Sequence, residues 1–321
     1  MTPITLHIGM NKTGTSALQA ALFRNRRALL RAGLHYPETG LGARSEGAGL
    51  HYRLSAAFLA GGAEGPALAG KLLRDIDEVG ARHAFISSEF FVELRDVGPL
   101  AAAFAGRDVR ILVYLRRHDH WMASLFAQAV KTQARPPWGP SVDAFIDHAR
   151  KNLAHYYRYS TLLGRWAEAF GDAAMDVRVY GPGATTDIVA DALRGLDVPE
   201  GAMRGSSPRV NGAPSRRQLA AIDHVQRAPI AAPVRRRLVQ AILAQDDTEK
   251  PRRLMTAATA QDLLDEHAED YAAIARMFLG RHDGVLFHEP PPAPGGPERI
   301  ALWPGEGITV MTELLSQSLA A

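Results

Sequence analysis

Apolar residues fall along this chain in two rhythms. Short runs rich in β-branched and aromatic residues occupy 4–9, 84–88, 109–115 and 177–180. Runs of this length and composition predict buried strands. Between them the apolar positions recur at helical spacing. From Thr15 onward, Leu18, Ala21, Leu22 and Leu29 share one face, with Gln19, Arg24, Arg26 and Arg27 on the other. That is the pattern of an amphipathic helix lying on a sheet. Similar patterns predict helices near 50–60, 66–80, 97–105, 118–131, 142–151 and 155–170. Strands alternating with helices imply a central, mostly parallel sheet of about four to five strands in a three-layer α/β fold.

The rhythm changes after Val198-Pro199. Residues 199–214 are rich in Gly, Ser and Pro and predict a loop. Residues 215–280 carry helical periodicity and no strand. The run from His288 to Pro297 holds five prolines and can support neither a helix nor an inner strand. The expected organisation is one α/β domain over 1–288, with a sheet core at 1–198 and a helical region at 215–280. Residues 289–321 form a linker and tail.

Composition narrows the function classes. The 321 residues are 46% hydrophobic and 22% charged, an ordinary globular mix. A net charge of +3 is too small for a dedicated nucleic-acid binder, yet compatible with one local anion site. Cysteine is absent, which excludes disulfides, thiolate catalysis and Cys-ligated zinc and makes the cytoplasm the expected compartment. Neither a secretory signal nor an apolar run long enough for a membrane span is visible.

The chemistry concentrates in the loop after the first strand, Gly9-Met10-Asn11-Lys12-Thr13-Gly14-Thr15-Ser16. A strand–loop–helix turn gathers backbone N–H groups and the positive end of a helix dipole around one point, which suits a phosphate. The hydroxyls of Thr13, Thr15 and Ser16 are candidate donors, and Lys12 adds a full charge. The spacing from Gly9 to Gly14 fits a nucleoside-triphosphate P-loop, but Thr15 stands where that loop carries its lysine. None of the predicted strands ends in an aspartate that could support Mg²⁺: 84–88 is followed by Glu89, and 109–115 by Arg116.

The segment Asn11-Lys12-Thr13-Gly14-Thr15-Ser16 resembles the 5′-phosphosulfate loop of the sulfotransferases, commonly Pro-Lys-[Thr/Ser]-Gly-Thr-[Thr/Ser]; Asn11 replaces the usual proline. That family's second signature is an Arg at a later strand end and a Ser eight residues on. Arg116 and Ser124 match it, although Arg117-His118 replace the usual Asp/Asn-Pro. More diffuse likenesses to bacterial sulfotransferase-like proteins run through about residues 4–288. The resemblance implies a P-loop NTPase-like fold and 3′-phosphoadenosine-5′-phosphosulfate as donor. Adenosine 3′,5′-bisphosphate is then the product, and no metal is needed. It implies Asn11 to Ser16 around the 5′-phosphate and Arg116 with Ser124 on the 3′-phosphate. The acceptor would be a hydroxyl or amine, with family habit pointing to a glycan or glycolipid. Lys12 would stabilise charge on the bridging oxygen, and Glu89 at the sheet edge is the candidate general base, with His51 next. A P-loop kinase using ATP and Mg²⁺, and a non-catalytic nucleotide-binding protein, are the alternatives.

Overall fold

A computed structural model describes residues 1–42, 49–182, 184–185, 187–199, 201–203, 214–245 and 254–290. The expected 199–214 loop and the 289–321 tail therefore lie largely outside the described residues.

Five strands form one sheet: β1 (Ile4–His7), β2 (Leu34–His35), β3 (His83–Ser87), β4 (Val109–Leu115) and β5 (Met175–Val179). All pairs are parallel, in the order β2-β3-β1-β4-β5. The helices in chain order are α1 (Thr15–Arg31), α2 (Tyr52–Ala60), α3 (Glu64–Val79), α4 (Gly98–Ala103), α5 (His118–Thr132), α6 (Val142–Asn152) and α7 (Ala154–Tyr157). They continue with α8 (Tyr159–Phe170), α9 (Ile188–Leu193), α10 (Arg216–Arg227), α11 (Ala232–Ala244), α12 (Ala257–Glu266) and α13 (Ala268–Leu279). The expected α/β architecture, helices flanking a parallel sheet, is the one observed.

The chain divides into two compact units. The first holds Met1–Arg116, His155–Val210 and Ala268–Glu289, and with them the whole sheet. The second holds Arg117–Ala154, Asn211–His267 and Pro290–Ala321. The region expected as one helical block, 215–280, is shared between them.

In the first unit, side-chain alternation sends Phe85, Leu112 and Tyr114 to one face of the sheet. There they meet Leu18, Ala21, Leu22 and Leu29 of α1 and Ile188, Val189 and Ala192 of α9. Each fully buried aliphatic side chain of this kind contributes about 1.5–3 kcal/mol. The alternate residues Leu6, Ile86, Ile111 and Val113 are equally buried on the other face. Helix α8 packs against β4 and β5, and α13 packs on α8.

Register fixes where the loops emerge. His7 pairs with Ser87 and with Leu112, so the carboxyl ends of β1, β3 and β4 lie side by side. From β1 the chain goes to one side, to β2 and β3, and then crosses to β4 on the other. Ligands of open α/β sheets bind at such a reversal. In the second unit, α5 packs with α6, α10 and α12, and α10 with α11.

Candidate functional site: the loop after the first strand

The turn out of β1 is held by backbone geometry that few residues tolerate. Gly9 has φ +61°, and a Cβ there would lie 2.8 Å from the Glu89 Cα. Only glycine lets this loop press against the chain leaving β3. Lys12 sits in the left-handed region at φ 66°, uncommon for a side-chain-bearing residue. Its carbonyl accepts a 2.8 Å hydrogen bond from an Arg116 Nη1 at the end of β4. Gly14, at φ 85°, is the N-cap of α1 and provides no side-chain cap. The Thr15 and Ser16 N–H groups open α1 at the positive end of its dipole, ahead of the Ala17 N–H, which donates to the Gly14 carbonyl at 3.0 Å.

The hydroxyls behave differently from expectation. Thr13 Oγ1 donates to the Met10 carbonyl at 2.6 Å, and Thr15 Oγ1 donates to the same oxygen at 3.1 Å. Both are buried and close the loop on itself, so they are not donors to a ligand in this arrangement. Of the three hydroxyl residues, Ser16 alone is exposed.

Glu89 opens the 3-10 turn Glu89–Glu93 directly after β3, where Ser88 caps the turn by accepting from the Phe90 N–H. Burial pushes the Glu89 carboxyl above its ordinary value, and the charge of Lys12 opposes that rise. The charge of Lys12 thus reaches the Glu89 carboxyl. Arg116 is also fixed through its own carbonyl, which accepts from the Tyr159 hydroxyl at 2.7 Å. Its guanidinium carbon lies 5.8 Å from the Tyr180 ring centroid. The first unit thus brings together Asn11 to Ser16, Glu89 and Arg116. Ser124 belongs to the second unit, half-buried on α5.

One histidine expectation is corrected. His51, the alternative base, is fully buried with both ring nitrogens engaged. The Ser87 N–H donates to Nδ1 at 3.2 Å, which makes Nε2 the protonated nitrogen, donating to the Pro37 carbonyl at 3.0 Å. Burial lowers its pKa to about 4, so it is a neutral structural ring. His118, the first residue of α5, is fully buried within the second unit, with its ring centroid 3.5 Å from that of His267. Beside it, Arg117 makes a two-pronged pair with Asp119 at 2.8 and 2.9 Å.

Sequence reasoning missed a polar cluster beside the loop. Burial raises the pKa of the Tyr156 hydroxyl; the neighbouring Glu93 adds to that rise and Asn11 opposes it. Glu93 Oε2 also lies 2.8 Å from His155 Nε2. The Asn11 Oδ1 atom is buried without a hydrogen-bond partner among the described residues. The aromatic triplet His155-Tyr156-Tyr157 was the available signal, but its pattern reads as the start of a helix.

Comparison with known proteins adds little. No family model matches the chain, and no solved structure matches it. An uncharacterized protein of Archaeoglobus fulgidus is 31% identical over 121 residues, covering 36% of this chain and 31% of the relative. The chain thus spans about a third of the length of the curated relative it matches.

Proposed function

We propose that the protein is a sulfotransferase that moves a sulfuryl group from 3′-phosphoadenosine-5′-phosphosulfate to a hydroxyl or amine acceptor. The observation that carries the reading is a half-buried Glu89 that feels the charge of Lys12, beside an α1 N-terminus that lacks a side-chain cap. A phosphate end of the donor suits the backbone N–H groups of the loop and the first turn of α1. Lys12 stabilises the negative charge that develops on the bridging oxygen as the S–O bond breaks. Glu89 takes the proton that the acceptor oxygen loses as its new bond to sulfur forms. Burial favours this role by raising the basicity of the carboxylate. The Arg116 guanidinium, which holds the loop carbonyl through Nη1, is the candidate for the second phosphate. Ser124 joins that role by resemblance only. A glycan or glycolipid hydroxyl is the proposed acceptor class.

The test is transfer of labelled sulfate from the donor to an acceptor panel, read with adenosine 3′,5′-bisphosphate release. Lys12→Ala is expected to lower turnover by roughly 10²–10³, the usual cost of one electrostatic stabiliser. Normal turnover in that variant would overturn the mechanism. Tight Mg²⁺-dependent binding of ATP in preference to the bisphosphate would favour a kinase instead.

A further inference from the structure

Lys12 keeps its left-handed backbone, at φ 66°, at the end of a chain of direct hydrogen bonds that begins on α13. The Asp270 carboxylate accepts from the Tyr159 and Ser160 N–H groups at 3.0 and 3.1 Å and so caps α8. The Tyr159 hydroxyl donates to the Arg116 carbonyl at 2.7 Å. The Arg116 Nη1 atom donates in turn to the Lys12 carbonyl at 2.8 Å. All of these residues belong to the first unit.

Each link fixes something that packing alone leaves open. A helix unbroken through this region would give the Tyr159 N–H to the His155 carbonyl. The break at the extended Arg158 turns that N–H to Asp270 instead, and so sets where α8 begins. The Tyr159 ring is fully buried, and a phenylalanine would fill the same space. Packing therefore does not call for the hydroxyl; the Arg116 carbonyl, one residue past the end of β4, does. At the other end of the chain, a left-handed residue that carries a side chain persists only where its surroundings over-determine it. A trans peptide also directs its C=O and its N–H oppositely. With the Lys12 carbonyl on Arg116, the Thr13 N–H points away from the guanidinium.

We propose that Tyr159 is a positioning residue for Lys12, its hydroxyl setting the strand-end arginine and the arginine setting the peptide that carries the lysine. The inference rests on the sulfotransferase reading for the claim that this peptide serves a reaction. Tyr159 touches neither donor nor acceptor; it acts through Arg116. Asp270 stands one step further back and acts through the start of α8. Loss of the hydroxyl keeps the packing and lets the Arg116 main chain drift, so the Lys12 ammonium meets the breaking S–O bond out of place. Misplacement by about 1 Å costs up to roughly 10²-fold in rate.

Lys-Thr occurs in the sequence only at 12–13 and at 131–132. Full-length protein labelled with ¹³C at lysine carbonyls and ¹⁵N at threonine therefore shows these peptides alone in a carbonyl–nitrogen NMR spectrum. Lys131-Thr132, in the second unit, is the internal reference, and Lys12→Arg assigns the loop signal. Tyr159→Phe is expected to shift the Lys12-Thr13 signal, as Arg116→Lys does, and to leave the reference in place. Asp270→Asn, which keeps one acceptor oxygen of the pair, is expected to shift it by less, and supplies the test should Tyr159→Phe not fold. In the sulfate-transfer assay, Tyr159→Phe is expected to lower kcat roughly tenfold, with the donor's KM changed less than about threefold. A merely structural tyrosine would lower the unfolding temperature and move neither the signal nor kcat; that result would overturn the proposal, as would a loss confined to KM. If the unsubstituted protein sulfated no acceptor while the signal still followed Tyr159 and Asp270, the sulfotransferase reading would fall and the positioning chain would stand.

Discussion

At Glu89 the protein holds a carboxyl against its own solvation. Its native pKa lies above the ordinary 4.5, first because of burial, with Lys12 pulling the other way. A raised carboxyl pKa stabilises the native state below the unfolded value, and that contribution is lost as pH rises through the native value. Glu89→Gln is therefore expected to gain stability over the parent protein as pH rises above 4.5, while losing sulfuryl transfer. Urea midpoints across that range, beside turnover, check both halves. The buried histidines run the other way. Burial lowers His7 to about 3 and His51 to about 4, from 6.5 in each case. The unfolded chain binds those protons first, so stability is complete above 6.5 and falls as pH drops toward the native values. Each ring steepens the acid limb by about 1.4 kcal/mol per pH unit at most. His51→Asn is expected to flatten that limb in a pH-dependent unfolding series; an unchanged slope would mean the ring is not held neutral.

Among the elements, legibility followed length and locality. Strand β4 was read at its exact bounds because seven residues, all but Arg110 buried, leave one interpretation. Strand β2 was missed, since two residues paired to one neighbour carry no periodicity. The helix predicted over 155–170 is in fact α7 and α8, broken at an extended Arg158. The restart at α8 is stabilised by the Asp270 carboxylate, which accepts from the N–H groups of Tyr159 and Ser160 at 3.0 and 3.1 Å. A cap supplied from over a hundred residues downstream is invisible to a local pattern. The loop was legible as a phosphate-type turn, but its internal bonding was not. The Met10 carbonyl that captures Thr13 and Thr15 becomes available only once Gly9 and Lys12 adopt their left-handed conformations. Gly9→Ala tests that geometry. It forces a methyl against the Glu89 Cα at a positive φ, and is expected to cost roughly 2–4 kcal/mol of stability. Thermal unfolding measures the loss. A fully stable Gly9→Ala variant would contradict the close approach of the two loops.

For the molecule as a whole, the sheet order explains why residues far apart in sequence can serve one site. Placing β1 between β3 and β4 brings position 89 next to position 9 and position 116 next to position 12. The α/β class, and the placing of positions 89 and 116 just past strand ends, could be anticipated from the strand pattern alone. The contact of His155 with Glu93 could not, because His155 follows only after the chain has passed through the second unit. Among the described residues no helix is long and apolar enough to cross a membrane. A ligand that binds only the folded state stabilises it by about 2.7 kcal/mol at a hundred times its dissociation constant. Adenosine 3′,5′-bisphosphate is accordingly expected to raise the unfolding temperature without Mg²⁺, and Arg116→Ala to remove most of that rise. Calorimetry with and without EDTA measures it, and a rise that depends on the metal would speak against the proposed donor.

The doubly used Met10 oxygen has a kinetic corollary. A cradle already knotted by its own threonines has little left to order when an anion arrives. Association should then proceed in one phase, limited by encounter rather than by a slow closing step, with the anion simply dropping into a mould that is already set.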